Sequence, residues 1–138
     1  MLTIVGYKIN REAFEAITRD ILLQNKERYD IDGDDIDDIY DAAYDFIVDE
    51  EFNDHKDTYF PGISSLKNIV ITRYCGNNMD TIHVGYIVKR GNKNAAKKQE
   101  ELEAFKNLCP PHLLASEEAD TFTFEEGVAI TTYTLNLK

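Results

Sequence analysis

Residues 68–89, which read NIVITRYCGNNMDTIHVGYIVK, decide the fold of this chain. The first eight and the last nine residues of this stretch are rich in β-branched and aromatic side chains, which favour strands. The five residues between them have the composition of a turn. The stretch therefore predicts a β-hairpin closed by a five-residue turn, with Arg73 opposite His83.

The N-terminal part of the chain predicts a strand followed by a helix. Residues 2–9 alternate weakly between apolar and polar side chains, as a half-buried strand does. Asn10 is a suitable N-cap for a helix from residue 11 to about residue 28. Four apolar positions of that helix share one face and are expected to be buried: Ala13, Phe14, Ile17 and Ile21.

The remaining sequence predicts a loop, a further helix and a second hairpin. Residues 51–66 are loop-like, because they are polar and contain Pro61-Gly62. Residues 95–108 predict a helix with three inward side chains: Leu102, Phe105 and Leu108. Residues 120–125 and 128–137 are rich in Thr, Phe, Tyr and Val, and predict a hairpin.

These elements, together with the acidic helix described below, predict one α+β domain over residues 1–138. Their order is β-α-α-β-β-α-β-β, which fits an antiparallel or mixed sheet of about five strands with about three helices. The chain has 138 residues, of which 43% are hydrophobic, enough for one packed core. An elaborated ferredoxin-like core, with an inserted helix and an extra C-terminal strand, is one fold with this order.

The most distinctive feature of the sequence is residues 34–51, DDIDDIYDAAYDFIVDEE, which we call the acidic segment. It contains nine Asp and Glu residues and no Lys or Arg. On a helical wheel its apolar and acidic side chains fall on opposite arcs, which predicts an amphipathic helix over residues 34–49. The apolar arc holds Ile36, Ile39, Tyr40, Ala43, Phe46 and Ile47, and the acidic arc holds Asp34, Asp38, Asp41, Asp45 and Asp49.

The charge spacing of the acidic segment resembles that of a nucleic-acid strand. A helix rises about 1.5 Å per residue, so nine charges over the segment give roughly one charge per 3 Å. One DNA strand carries a phosphate about every 3.4 Å along its axis. A plain solvated helix face is the competing interpretation. Such faces usually mix charge signs, however, and Asp45, Asp49, Glu50 and Glu51 lie at the unfavourable end of the helix dipole.

The overall charge excludes several classes of partner. The net charge is −11 and the pI is near 4.6, so direct binding to nucleic acid or to an anionic membrane is unfavourable. The two cysteines are far apart, and the N-terminus does not have the pattern of a secretory signal, so we expect a cytoplasmic protein. No catalytic or cofactor-binding signature is present, and we predict neither a cofactor nor an enzymatic activity.

The sequence therefore predicts an acidic inhibitor that docks a carboxylate-lined helix into the nucleic-acid-binding groove of a basic protein. Small acidic proteins that phages and other mobile elements use against host nucleases are similar in size and charge. The predicted contact residues are Asp34, Asp38, Asp41, Asp45, Asp49, Glu50, Glu51 and Asp54.

Three other functions remain open on the sequence alone. The chain could be an immunity or antitoxin partner of a basic toxin, or a homodimer joined through its acidic and basic blocks. It could also be a small enzyme or ligand-binding domain, because the predicted hairpin register places Cys75 and His83 on one face. A calcium site is less well supported. Asp30, Asp32 and Asp34 match the start of an EF-hand loop, but Asp35 stands where that loop needs Gly.

Overall fold

The structure is a computed structural model that describes residues 2–25, 27, 52–76, 79–88, 95–124 and 129–134. The predicted acidic helix and the EF-hand-like turn lie outside these residues. The described strands are β1 (Leu2–Lys8), β2 (Val70–Gly76), β3 (Met79–Ile87), β4 (Asp120–Phe124) and β5 (Ala129–Thr134). The described helices are α1 (Arg11–Gln24), α2 (Phe52–Tyr59) and α3 (Ala95–Leu108).

The strands form one antiparallel sheet in the order β4-β1-β3-β2-β5. All four pairs of neighbouring strands are antiparallel. Side chains of the helices and of one sheet face form the main core, which includes Tyr7, Phe14, Ile71, Val84 and Phe105. The α+β prediction is confirmed. The order β1-α1-β2-β3-α3-β4 is that of a ferredoxin-like core, with α2 inserted and β5 added at the β2 edge.

The predicted C-terminal hairpin is wrong, because β4 and β5 do not pair with each other. β4 pairs with β1, with Phe122 opposite Ile4, and β5 pairs with β2, with Thr132 opposite Thr72. The two strands are therefore the opposite edges of the sheet. Two Thr-rich runs separated by a turn signal need not pair with each other, because each can pair with the free edge of another strand. Here β1 and β2 offer those edges.

Helix α1 begins as predicted and ends earlier. The Asn10 side chain accepts a hydrogen bond from the Ala13 backbone N–H at 3.1 Å, which satisfies a donor of the first turn. Asn25 ends the helix, because its side chain donates to the Ile21 carbonyl at 2.7 Å and its backbone N–H donates to Leu22. The side chains of Phe14 and Ile21 are buried, and Thr18 and Leu22 are buried beside them.

Residues 52–59 form α2 where the sequence predicted a loop. The helix is held by tertiary packing, because Tyr59 is fully buried and stacks on Phe14 with 4.3 Å between ring centroids. His55, one turn earlier, is also buried. A polar octapeptide has little helical preference of its own. Burial of His55 and Tyr59 on one side therefore stabilises the helix.

Helix α3 has the predicted bounds, and Leu102 and Phe105 are buried as expected. Leu108 was expected to be buried, but 48% of it is exposed. Its side chain lies over Gly62, a residue with φ of +79° at the surface, so it covers a turn and not the core.

No described helix covers the second face of the sheet. Instead, the sheet bends and brings its own side chains together over this face. Tyr74 of β2 and Phe124 of β4 lie three strands apart, which is about 14 Å in a flat sheet. Their ring centroids are 5.1 Å apart. Ile4, between these strands, is fully buried. The sheet therefore curls so that this face becomes concave, and we call it the concave face.

Gly6 and Gly85 lie opposite each other on the concave face, where β1 and β3 come very close together. A Cβ atom at Gly6 would lie 2.1 Å from the Val84 carbonyl oxygen, and one at Gly85 would lie 2.1 Å from the Val5 carbonyl oxygen. Glycine in a strand often marks such a bend or close backbone approach. The pair allows the curvature that a side chain at either position would block.

Candidate binding sites

One of the eight predicted contact residues, Asp54, lies within the described residues. It is exposed on the first turn of α2. The other seven lie outside the described residues: Asp34, Asp38, Asp41, Asp45, Asp49, Glu50 and Glu51. Their predicted row remains an expectation from the sequence.

The two helices that flank the acidic segment in sequence are joined to each other. The Thr18 hydroxyl of α1 and the Tyr59 hydroxyl of α2 form a buried hydrogen bond of 2.7 Å, beside the stacked rings of Phe14 and Tyr59. Asp57, in the last turn of α2, accepts a hydrogen bond from the Ser64 backbone N–H at 3.1 Å, which fixes the turn that follows the helix. Residues 25–51 are therefore preceded and followed in the sequence by two helices that pack against each other.

The hairpin register differs by one residue from the prediction. Gly76 pairs with Met79, which leaves two residues between the paired strands, and Cys75 stands opposite Asp80. His83 stands opposite Thr72. Because faces alternate along a strand, positions 75 and 83 lie on opposite faces of the sheet. The shared pocket that the enzyme alternative required is therefore absent in this register.

His83 lies on the concave face as a neutral, buried side chain. Only 4% of it is exposed, and its ring lies 4.3 Å from Phe122 and 5.2 Å from Phe124, centroid to centroid. Burial, and secondarily the charge of Lys8, lowers the pKa of His83 to about 4. Its Nε2 lies 3.1 Å from the Thr81 hydroxyl, whereas Nδ1 is buried and has no hydrogen-bond partner among the described residues.

A cavity of about 450 Å³ opens where β1 ends and α1 begins, and we call it the N-cap cavity. It is formed by the end of β1, the first turn of α1, the start of β3 and Ala115. Polar groups line it, from Lys8, Asn10, Arg11, Glu12 and Thr81, whereas Ile9, Phe14 and Ile82 beneath them are almost completely buried. The sequence does not reveal this cavity, because its residues come from β1, α1, β3 and the segment after α3 and follow no motif.

Other reactive groups are poorly placed for chemistry. Cys109 is buried, and burial raises the pKa of its thiol to about 11, so it is protonated at neutral pH. Within the described ranges, no three His, Cys, Asp or Glu side chains are grouped closely enough to hold a metal ion. Among the helices that the structure describes, none is both long and apolar enough to cross a bilayer.

Comparisons with protein-family models, with curated proteins and with solved structures found no match to this chain.

Proposed function

We propose that this protein is an acidic, non-enzymatic inhibitor that binds a basic protein and occupies its nucleic-acid-binding groove. The observation that carries the proposal is the acidic segment, which has nine carboxylates and no cation in 18 consecutive residues. In the predicted helix its charge spacing is close to that of a phosphate backbone, so a groove lined by Lys and Arg would attract it. A cytoplasmic location belongs to the same proposal.

The packing of α1 against α2 supports presentation of the segment on a fixed base. Its flanking helices are joined through the Thr18–Tyr59 hydrogen bond and the Phe14–Tyr59 stack. Anchored ends lower the entropy that the segment would lose on binding. Asp54 continues the acidic sequence onto the exposed surface of α2.

The test is affinity capture from lysate with the immobilised protein, in parallel with two charge-matched variants. The first variant carries Asp38→Asn, Asp41→Asn and Asp45→Asn in the acidic segment. The second carries Glu100→Gln, Glu117→Gln and Glu118→Gln, at exposed positions elsewhere. Both remove three negative charges, so they differ only in where the charge is lost.

We expect the unmodified protein and the second variant to retain the same basic protein at about 0.05 M salt and to release it near 0.5 M. The first variant should not retain it. That variant should also be at least as stable as the unmodified protein, because it relieves like-charge neighbours that cost about 0.2–0.5 kcal/mol each. Equal retention by both variants would refute the proposal.

A further inference from the structure

Strand β4 is an edge strand, with β1 on one side and no described strand on the other. Asp120, Thr121 and Thr123 are exposed, so the strand is open to solvent at these positions. Proteins usually protect an edge strand from pairing with Pro, Lys or a bulge. The sequence of β4, DTFTF, contains neither Pro nor Lys, and its single charge is that of Asp120.

The hydrogen bonds of β1 show which backbone groups of β4 point outward. The Val88 N–H donates to the Thr3 carbonyl at 2.9 Å, so Thr3 turns its backbone groups towards β3. Because directions alternate along a strand, Ile4 turns its backbone groups towards β4, where it pairs with Phe122. The residues on either side of Phe122 therefore direct their N–H and C=O groups away from β1, to the open edge.

Those two residues, Thr121 and Thr123, offer most of their backbone groups to an incoming strand. The Thr121 N–H donates to the Asp120 carboxylate at 2.8 Å. Within the part of the chain that the structure describes, the Thr123 N–H and both carbonyls have no hydrogen-bond partner. A cationic side chain on an incoming strand can attract the Asp120 carboxylate and so release the Thr121 N–H as well.

The charge around β4 favours a basic strand. Residues 107–137 contain no Lys or Arg. Five acidic residues lie in β4 or next to it in sequence: Glu117, Glu118, Asp120, Glu125 and Glu126. By contrast, residues 127–138, which include the other edge strand, contain no acidic residue. A second copy of this chain would bring the same carboxylates together, so repulsion disfavours it as the occupant of the β4 edge.

We propose that the open edge of β4 binds an extended basic segment of a partner protein, which adds a strand to the sheet. The backbone of this segment pairs with Thr121 and Thr123, and an apolar side chain lies beside the half-buried ring of Phe122. Lys and Arg at the two ends of the segment contact the flanking carboxylates. This site uses none of the acidic segment, so it stands or falls separately from the proposed function.

The experiment titrates the isotope-labelled protein with three capped peptides and follows its backbone amide signals by NMR. The first, KRVTVTVRK, is basic and rich in strand-forming residues. The second, EEVTVTVEE, reverses the charge, and the third, KRPPPPPRK, keeps the charge but lacks the central N–H donors. The first peptide should cause saturable shifts at Thr121, Phe122 and Thr123, and should slow hydrogen exchange of the Thr123 amide. The others should bind at least about tenfold more weakly, because one lacks the ion pairs and the other lacks the backbone hydrogen bonds.

A matched pair of variants tests the backbone pairing. Thr123→Pro removes the outward N–H, and edge strands tolerate Pro where the N–H faces solvent. Thr123→Val keeps the N–H and removes only the hydroxyl. Thr123→Pro should weaken binding of the basic peptide about tenfold, as expected for a lost hydrogen bond, whereas Thr123→Val should bind like the unmodified protein. The unfolding temperature of each variant reports whether it is folded.

The two charge-matched triple variants, of aspartates in the acidic segment and of glutamates outside it, separate this site from the acidic segment. The glutamate variant lacks the charges of Glu117 and Glu118, and should bind the basic peptide about fivefold more weakly, as expected for two exposed ion pairs. The aspartate variant should bind it like the unmodified protein. For the basic protein captured by the acidic segment the expected order is the reverse, so either proposal can fail alone. Weaker peptide binding by the aspartate variant alone would place the peptide on the acidic segment and refute the β4 site.

Four further results would overturn the proposal. The first is the absence of saturable shifts in β4 with the basic peptide. The second is equally tight binding of the acidic or the proline peptide. The third is equal binding by folded Thr123→Pro and Thr123→Val proteins. The fourth is a dimer of the protein alone that Thr123→Pro converts to a monomer in sedimentation equilibrium, because the edge would then hold a second copy.

Discussion

On one face of the sheet, three described helices bury a core around Phe14, Tyr59 and Phe105; on the concave face, the rings of Tyr74, Phe122 and Phe124 close over the sheet itself. On the helical face, α1 and α3 follow from apolar periodicity, which is local in sequence. The concave face follows from a bend at Gly6 and Gly85, which are far apart in sequence and adjacent in space.

The two faces should also differ in whether substitutions on them change partner binding as well as stability. The helical face holds α1 and α2, the helices between which the acidic segment lies in sequence, so changes there should affect both stability and partner binding. The concave face holds none of the predicted contact residues that the structure describes. Changes there should affect stability alone, and the following substitutions test this division.

The largest effect is expected for Phe14→Ala on the helical face. Phe14 is fully buried and packs against Tyr59 and Phe60, so its removal should lower the free energy of unfolding by about 3–5 kcal/mol. Urea denaturation measures the change. Leu23→Ala, in the same helix at a position 46% exposed, is the control and should change stability by less than about 0.5 kcal/mol. Similar effects of the two substitutions would contradict the described α1 face.

Gly85→Ala should be the most damaging single change on the concave face. The new methyl group would lie against the Val5 carbonyl oxygen, and we expect a loss of about 2–3 kcal/mol by denaturation. Replacing glycine in an unstrained strand would instead stabilise the protein slightly, through the unfolded state. A neutral or stabilising result would therefore refute the close approach of β1 and β3. Partner capture by the folded fraction should be unaffected.

The burial of His83 predicts an acid-sensitive contribution to stability. Its pKa is lowered in the folded state, from 6.5 to about 4, so the unfolded chain binds a proton more readily. The stabilisation is complete above pH 6.5 and is lost as the pH falls towards 4. We expect a loss of about 2–3 kcal/mol across this range.

The comparison with His83→Gln isolates this contribution. The variant lacks the imidazole but keeps all the carboxylates, so titration of acidic groups is common to both proteins. Denaturation at several pH values between 7 and 4 should show a steeper loss for the unmodified protein. Parallel curves would mean that His83 is solvated and titrates normally.

The smallest effect is expected for Tyr59→Phe, which removes one hydroxyl between α1 and α2. Thr18 keeps its hydrogen bond to the Phe14 carbonyl at 3.1 Å, so the loss should be about 1 kcal/mol. Because this hydroxyl joins the helices that flank the acidic segment, partner affinity should fall slightly as well. A stability change with identical affinity would argue that the junction does not position the segment.

The elements that could be predicted from sequence are those set by local patterns. The Asn10 cap, the apolar stripes of α1 and α3, and the existence of β1, β2 and β3 all follow from neighbouring residues. The hairpin register was missed by one residue. Asn77-Asn78 between Gly76 and Met79 is a signal for a two-residue turn, because Asn tolerates positive φ. A two-residue turn between these strands predicts that Cys75 and His83 lie on opposite faces of the sheet.

The remaining features depend on contacts between distant parts of the chain. Helix α2 forms because Tyr59 packs on Phe14, and the edge positions of β4 and β5 depend on which strands already pair. The N-cap cavity likewise combines Lys8 with Thr81 and Ala115. Contacts between residues that are distant in sequence leave no local pattern, so sequence periodicity alone cannot predict them.

Competition on a duplex-DNA column tests most directly whether the acidic segment takes the place of nucleic acid. Lysate is applied with increasing amounts of the unmodified protein, of the Asp38, Asp41 and Asp45 triple variant, or of the Glu100, Glu117 and Glu118 control. We predict that the unmodified protein and the control keep a specific basic protein off the column at near-stoichiometric amounts, whereas the triple variant does not. If no DNA-binding protein is displaced, or if all three proteins displace it equally, the acidic segment is not a nucleic-acid mimic.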